Sequence, residues 1–154
     1  MPHYLIDGNN LLGKLSSRDK SYRAENPLSR ELLLMKVISY FQNRKDEVTL
    51  FFDGYESDKL RAGKIKIVYS NNRPADKLIR ERIEQAKSRS NLVVVSSDNE
   101  IRNYARVCSC SVIKSEEFSV NLFERKAPEK EHYNDEKTTS EDKEFFLKLF
   151  SQGK

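Results

Sequence analysis

Short apolar runs alternate with amphipathic stretches along most of the chain. Bounded apolar or alternating runs are typical of buried β-strands, and four of them occur here, at residues 3–6, 48–52, 64–69 and 92–95. A fifth apolar piece lies at Val112-Ile113. Apolar residues at helical spacing predict helices over residues 28–43 and 74–88. A short helix containing Ile101, Tyr104 and Ala105 is expected after Asp98, and the stretch from Glu116 to Phe123 is the last element of the alternation. Strands that alternate with helices predict an α/β fold with a central, mainly parallel sheet of about five strands, because parallel neighbours need crossover connections.

The chain divides by composition into a domain and a tail. Its 154 residues fit one domain, which we place at 1–123. Residues 124–140 have almost no aliphatic side chains and mixed charge, which predicts a disordered polar linker. Residues 141–151 predict an amphipathic helix capped by Ser140, with an apolar side rich in Phe and Leu. We expect this helix to fold back onto the domain; docking on a second copy or on a partner is the alternative.

Composition narrows the cellular setting. No apolar run approaches the roughly 20 residues of a membrane helix, and the first residues lack signal-peptide architecture. We therefore expect a cytoplasmic protein without a membrane partner. The two cysteines, Cys108 and Cys110, are too close for an ordinary disulfide, and His3 and His132 are too distant in sequence to complete a zinc site with them. Reduced thiols in a short buried strand are the expectation.

Acidic residues recur where the predicted strands end. Asp7, Asp53 and Asp98 follow three strands, and Asp76 lies in the first turn of the helix after another. The carboxyl ends of parallel strands meet at one edge of the sheet, where open α/β proteins bind ligands. Four carboxylates at one edge would repel one another unless a cation is present, and Mg²⁺ or Mn²⁺ suits oxygen ligands. Taken singly, each acid also fits an ordinary turn or helix cap.

Other hydrolytic chemistries fit less well. A histidine-pair ribonuclease or a serine triad would need imidazoles that this chain places only in the first strand and in the tail. The stretch from Gly8 to Lys14 satisfies most of a phosphate-binding loop, so a nucleotide hydrolase is an alternative. Against it, Leu15 stands where a Ser or Thr would hold Mg²⁺, and Leu11-Leu12 look like the start of a helix.

Five motifs in register resemble the YacP-like NYN domains of the PIN-type nuclease superfamily. They span residues 4–118 and read Ile6-Asp7-Gly8-Asn9-Asn10, Phe52-Asp53-Gly54, Tyr69-Ser70 with Ala75-Asp76-Lys77-Leu78-Ile79, Ser96-Ser97-Asp98, and Ser115-Glu116-Glu117-Phe118. The resemblance implies a three-layer α/β/α sandwich and a metal-dependent endoribonuclease that leaves a 5′-phosphate. By position, it implies a site made of Asp7, Asp53, Asp76, Asp98 and Asn10. Asn9, Pro74, Lys77 and Cys108-Ser109 depart from the family pattern, and Lys77, where a second acid is frequent, leaves the number of metal ions open.

The expected reaction is hydrolysis of RNA phosphodiester bonds. Asp7 and Asp98 would bind Mg²⁺ or Mn²⁺, Asp53 and Asp76 would complete the site, and Asn10 would orient a ligand. The alternative is a non-catalytic RNA-binding or scaffold protein of PIN-like fold.

Charge and aromatic residues suggest how RNA would bind. Residues 1–123 carry a net charge of +5, which favours polyanions. The expected RNA contacts are Lys14, Arg18, Lys20 and Arg23 in a loop after the first strand, and Arg73, Lys77 and Arg80 near the charged helix; solvated surface residues are the alternative. Tyr22 or Tyr55 would stack on an unpaired base, which favours single-stranded or loop RNA. The RNA target, its presentation by a ribosome and the oligomeric state stay open.

Overall fold

The computed structural model describes residues 1–56 and 63–124, and within these ranges it confirms the predicted alternation of strands and helices. The described residues form five strands and five α-helices: β1 (His3–Asp7), α1 (Gly8–Ser16), α2 (Ser29–Phe41), β2 (Glu47–Phe52), β3 (Lys66–Tyr69), α3 (Ala75–Gln85), β4 (Leu92–Val95), α4 (Asn99–Val107), β5 (Ser111–Ile113) and α5 (Ser115–Glu124). Short 3₁₀ turns cover Lys20–Tyr22 and Arg89–Asn91. Of the linker predicted at 124–140, Glu124 ends α5 instead, and the rest of that linker and the tail helix predicted at 141–151 lie outside the described residues.

All five strands pair in parallel in one sheet, in the order β3-β2-β1-β4-β5. The central strand is β1, where Ile6 lies opposite Leu50 of β2 and Val95 of β4. The chain moves outward from β1 to β3 and then crosses back to β4 on the other side of β1. This reversal leaves a switch point between the carboxyl ends of β1 and β4, where ligands bind in sheets of this kind.

Helices cover both faces of the sheet, which confirms the three-layer architecture. Side chains alternate along a strand, so Ile6 faces a core built with α1, α2 and α5, whereas Leu5 faces a second core built with α3 and α4. Both residues have no exposed surface. The two cores hold the strands in register, and the strand ends therefore have defined positions.

Residues 8–16, directly after β1, form helix α1, which agrees with the helix indicated by Leu11-Leu12 but not with the loop expected around Lys14. Leu11, Leu12 and Leu15 bury one side of this helix. A Cβ at Gly8 would lie 2.6 Å from the Phe51 carbonyl oxygen, so glycine lets the helix start directly against β2. The placement of Lys14 in a loop is thus wrong. With no loop between β1 and α1 to wrap a phosphate, the phosphate-loop hydrolase is also wrong.

The two cysteines lie near the carboxyl-terminal end of the described residues. Cys108 and Cys110 are free thiols in the turn between α4 and β5, so the prediction that they form a strand is wrong.

Within residues 1–56 and 63–124, no helix has the length and apolar character needed to cross a membrane.

Candidate functional site

Asp7 is the buried centre of the carboxyl edge. It ends β1, is 8% exposed, and accepts hydrogen bonds from Ser96 Oγ at 3.1 Å and from the Asn10 backbone N–H at 3.5 Å. Burial raises the pKa of Asp7 to about 6, the two hydrogen bonds lower it in part, and the charges of Asp53 and Asp98 raise it further. The cost of holding a charge here is therefore both desolvation and repulsion between acids.

Asp53 and Asp98 flank Asp7 at the ends of β2 and β4. Asp98 caps α4, with one carboxylate oxygen accepting from the N–H groups of Glu100 at 2.9 Å and Ile101 at 3.1 Å. Asp53 accepts at 2.8 Å from the N–H of Ala75, the first residue of α3. In each carboxylate the other oxygen has no hydrogen bond to the described residues. Both side chains combine a fixed position with an oxygen left for a ligand.

Asp76 lies in the first turn of α3 and is half-buried. It follows Ala75, which Asp53 contacts, but it is not among the acids whose charge raises the pKa of Asp7. Its membership of the site stays a prediction.

Asn10 connects three segments that meet at this edge. Its side-chain oxygen accepts from the Ser97 N–H at 2.9 Å and from Ser115 Oγ at 2.6 Å. Ser97 precedes Asp98, and Ser115 begins α5, so Asn10 positions the loop that carries Asp98. Its side-chain oxygen is occupied within the protein, and the predicted contact with a ligand, still a prediction, would fall to its amide N–H groups.

A serine and glutamate network beside Asn10 was given no role by the sequence. Ser97 Oγ donates to the carboxylate of Glu116 and accepts from the Ser115 N–H at 2.9 Å. The Ser97 hydrogen bond lowers the pKa of Glu116, whose carboxylate also lies 3.8 Å from Lys14 Nζ. The feature of the sequence that could have indicated this network is the run of polar residues after β4 and again after β5.

The donor set suits a hard cation, but the side chains are not preassembled around one. Among residues 1–56 and 63–124, no three His, Cys, Asp or Glu side chains lie close enough to hold a metal ion. Mg²⁺ is commonly held by one or two carboxylates together with waters and substrate phosphate. The edge therefore fits a hydrated ion on Asp7, Asp98 or Asp53, and it does not fit a closed cage of carboxylates.

Several of the predicted RNA-contacting cations already have protein partners. Lys14 pairs with Glu116 at 3.8 Å, Arg80 with Glu100 at 3.4 Å, Arg73 with Glu81, and Arg18 lies over the Phe123 ring. Lys20, Arg23 and Lys77 are exposed and form no ion pair with the described residues. Exposed ion pairs are weak, so RNA contact by this set stays a prediction.

The two tyrosines differ in accessibility. Tyr22 is 5% exposed and packs edge-on against Phe123 at 6.3 Å, so the prediction that it stacks on a base is wrong. Tyr55 is 64% exposed, so stacking of Tyr55 on an unpaired base stays a prediction.

Arg30 is a cation at this edge that the sequence analysis missed. Its Nη2 donates to the Asp53 carbonyl oxygen at 2.7 Å, and its guanidinium lies 4.6 Å from the Phe52 ring centroid and 5.9 Å from that of Tyr69. No described carboxylate forms an ion pair with it.

A cleft of about 420 Å³ opens next to Arg30, between α1 and the start of α2. It is lined by Asn9, Leu12, Gly13, Ser16, Tyr22, Ala24, Asn26, Pro27, Ser29 and Arg30. Asn9 also reaches the acidic edge, where its side-chain oxygen accepts from the Asp53 N–H at 2.7 Å.

A parallel five-stranded sheet between two layers of helices, with acids at its switch point, defines the class as a three-layer α/β/α domain with an acidic edge. The chain belongs to the YacP-like NYN domain family, whose model matches residues 4–152. The predicted resemblance is thereby confirmed.

Solved structures support the same fold. The chain is similar to Rae1 (YacP) from Bacillus subtilis, with a TM-score of 0.65 and 17% identity over 99% of this chain and 94% of that one. The W164L mutant of Rae1 gives a TM-score of 0.66 and 17% identity over 82% and 79%. At this identity the likeness shows the fold. No curated protein sequence matches significantly.

Proposed function

We propose that this protein is a metal-dependent endoribonuclease that hydrolyses phosphodiester bonds of RNA in the cytoplasm. The observation that carries the proposal is the convergence of Asp7, Asp53 and Asp98 at the carboxyl edge beside the switch point. Membership of a nuclease-type family supports it.

Each group at the edge has a defined part in this proposal. When bound, Mg²⁺ or Mn²⁺ supplies a more acidic water and positive charge for the scissile phosphate. Asp7 and Asp98 hold the ion, with Asp53 and Asp76 able to widen the site. Ser96 and Asn10 keep Asp7 and the Asp98 loop in place. The basic surface residues and Tyr55 bind unpaired RNA on either side of the reacting phosphate.

Cleavage of a long RNA by the purified protein tests the proposal. Fragments should form with Mn²⁺ or Mg²⁺ and not with chelator. Asp7→Asn and Asp98→Asn should each lower the rate at least about a hundredfold, the size of loss seen when one group that stabilises transition-state charge is removed. Asp46→Asn is the matched control, because it makes the same chemical change at the opposite, amino-terminal end of β2 and should cleave normally. Full activity in both site variants contradicts the proposal.

A second function is favoured by one observation, the lack of three metal-coordinating side chains in close proximity within the described ranges. It is a non-catalytic RNA-binding or scaffold domain with the same fold. RNA binding without metal-dependent fragments in the same assay would support this function.

A further inference from the structure

The cleft beside Asp53 has the size and the wall of a preformed ligand site. Its volume of about 420 Å³ lies within the range of roughly 300–1,000 Å³ common for small-molecule sites. The loop that forms one wall is held by Asn26, whose amide donates to the Ser21 carbonyl at 2.8 Å and whose oxygen accepts from the Leu28 N–H at 3.0 Å. The wall therefore needs little rearrangement to accept a ligand.

The lining combines apolar and polar groups in a way that suits a nucleotide. Pro27 is exposed and offers apolar contact for the face of a base. Asn9 and Ser16, both half-buried, offer polar groups for its edge and for a ribose hydroxyl. A base that is paired in a duplex could not enter, because its face is stacked inside the helix; an unpaired base can be splayed out.

Arg30 supplies the charge that a phosphate requires. Its guanidinium is oriented by the Asp53 carbonyl and lies over the Phe52 ring, and no described carboxylate neutralises it. Arg73 and Arg80, by contrast, each pair with a glutamate. A planar guanidinium with N–H groups left over is well suited to bind phosphate oxygens.

The cleft is continuous with the acidic edge, because Asn9 and Arg30 both line the cleft and hydrogen-bond the backbone of Asp53. We infer that this cleft binds one unpaired ribonucleotide of the RNA substrate next to the scissile phosphate, with Arg30 contacting a phosphate of that nucleotide. The inference rests on the proposed function and names the substrate-binding site that belongs to it.

Gly13 provides a way to fill the cleft without disturbing the fold. It lies on α1 in the cleft wall, and a Cβ added there meets nothing within 4 Å. Gly13→Leu introduces a bulky helix-favouring side chain into the cleft, and Gly13→Ala is its matched control with only a methyl group. Arg30→Gln removes the cleft's charge. Its control is Arg82→Gln, which removes an equally half-buried arginine near His3, at the amino-terminal end of the sheet.

Binding is measured by fluorescence anisotropy with a labelled single-stranded oligoribonucleotide in chelator, so that cleavage plays no part. Gly13→Leu and Arg30→Gln should each weaken binding about tenfold, as expected for loss of a stacked base or of a charge-assisted phosphate contact. Arg30→Gln should also reduce the salt dependence by about one phosphate contact, whereas Gly13→Leu should not. Gly13→Ala and Arg82→Gln should bind like the wild type.

A single abasic nucleotide moved along the oligoribonucleotide identifies the base that enters the cleft. At one position it should weaken wild-type binding but not weaken Gly13→Leu further, because the filled cleft no longer holds that base. Wild-type affinity in both cleft variants, or an undiminished abasic effect in Gly13→Leu, overturns the inference. Cleft-dependent binding without RNA fragments in the cleavage assay would instead overturn the endoribonuclease proposal and leave this site standing.

Discussion

Replacing Asp7 by asparagine should make the protein more stable near neutral pH while it removes the proposed activity. Burial, followed by the charges of Asp53 and Asp98, raises the pKa of Asp7 from 3.8 to about 6. Each pKa unit is worth about 1.4 kcal/mol, so ionised Asp7 costs the folded state about 3 kcal/mol at pH 7.5. Asparagine avoids this cost, but it offers an N–H group where both carboxylate oxygens now accept hydrogen bonds, a loss of about 1 kcal/mol. The net gain in the free energy of unfolding at pH 7.5 is therefore about 2 kcal/mol.

The pH dependence follows from the direction of the shift. Because the pKa is higher in the folded state, the folded protein keeps this proton to higher pH than the unfolded chain does. The contribution of protonated Asp7 to the stability of the wild type is therefore fully present below about pH 4 and is lost as the pH rises through about 6. At pH 4.5 the charge cost falls to about 1 kcal/mol, so Asp7→Asn and the wild type should then be nearly equal.

Urea unfolding followed by circular dichroism in chelator, at pH 4.5, 6.0 and 7.5, measures this difference. At pH 7.5 the gain corresponds to a rise in melting temperature of about 4–8 °C for a chain of this size. Asp46→Asn is the control, because its carboxylate pairs with Arg44 at 2.6 Å and its loss should not stabilise the fold. A variant less stable than the wild type at pH 7.5, or a gain that is the same at all three pH values, would refute the reasoning.

Three further outcomes are expected. Gly8→Ala should lower the free energy of unfolding by about 2 kcal/mol, because its Cβ would meet the Phe51 carbonyl oxygen at 2.6 Å. Gly13→Ala should raise the free energy of unfolding by about 0.5–1 kcal/mol, because its Cβ would meet nothing within 4 Å. The reverse order of the two variants in urea unfolding would contradict this prediction. Asn10→Ala should cost about 2 kcal/mol by leaving the part-buried N–H of Ser97 and hydroxyl of Ser115 without an acceptor, and an unchanged unfolding free energy would speak against that role. Adding Mn²⁺ should raise the melting temperature of the wild type but not of Asp98→Asn, and an equal rise in both would place the ion elsewhere.

Local patterns in the sequence were sufficient for the strands and for the acids that follow them. A buried parallel strand is a short apolar run, and the carboxyl edge is where each run ends, so Asp7, Asp53 and Asp98 could be placed without any tertiary information. Leu11-Leu12 indicated a helix after β1, but the extent of α1 was not predicted, because its apolar stripe is only Leu11, Leu12 and Leu15, interrupted by Gly13. Whether Gly8 opens a helix or a phosphate loop depends on β2 beside it.

Tertiary structure decided which of these side chains are free to act. Burial raises the pKa of Asp7, and the hydrogen bond from Ser96, which lies 89 residues later in the chain, lowers it in part. Tyr22 loses its predicted role because the fold buries it, with Phe123 packed edge-on against it. Arg30 gains a proposed role in phosphate binding because β2 places Phe52 and the Asp53 carbonyl against its guanidinium. The formation of strands and helices depends largely on residues adjacent in sequence, so the sequence by itself determined the edge and its acids. Burial and charge compensation depend on neighbours that are distant in sequence, so only the tertiary structure determined the cleft beside that edge.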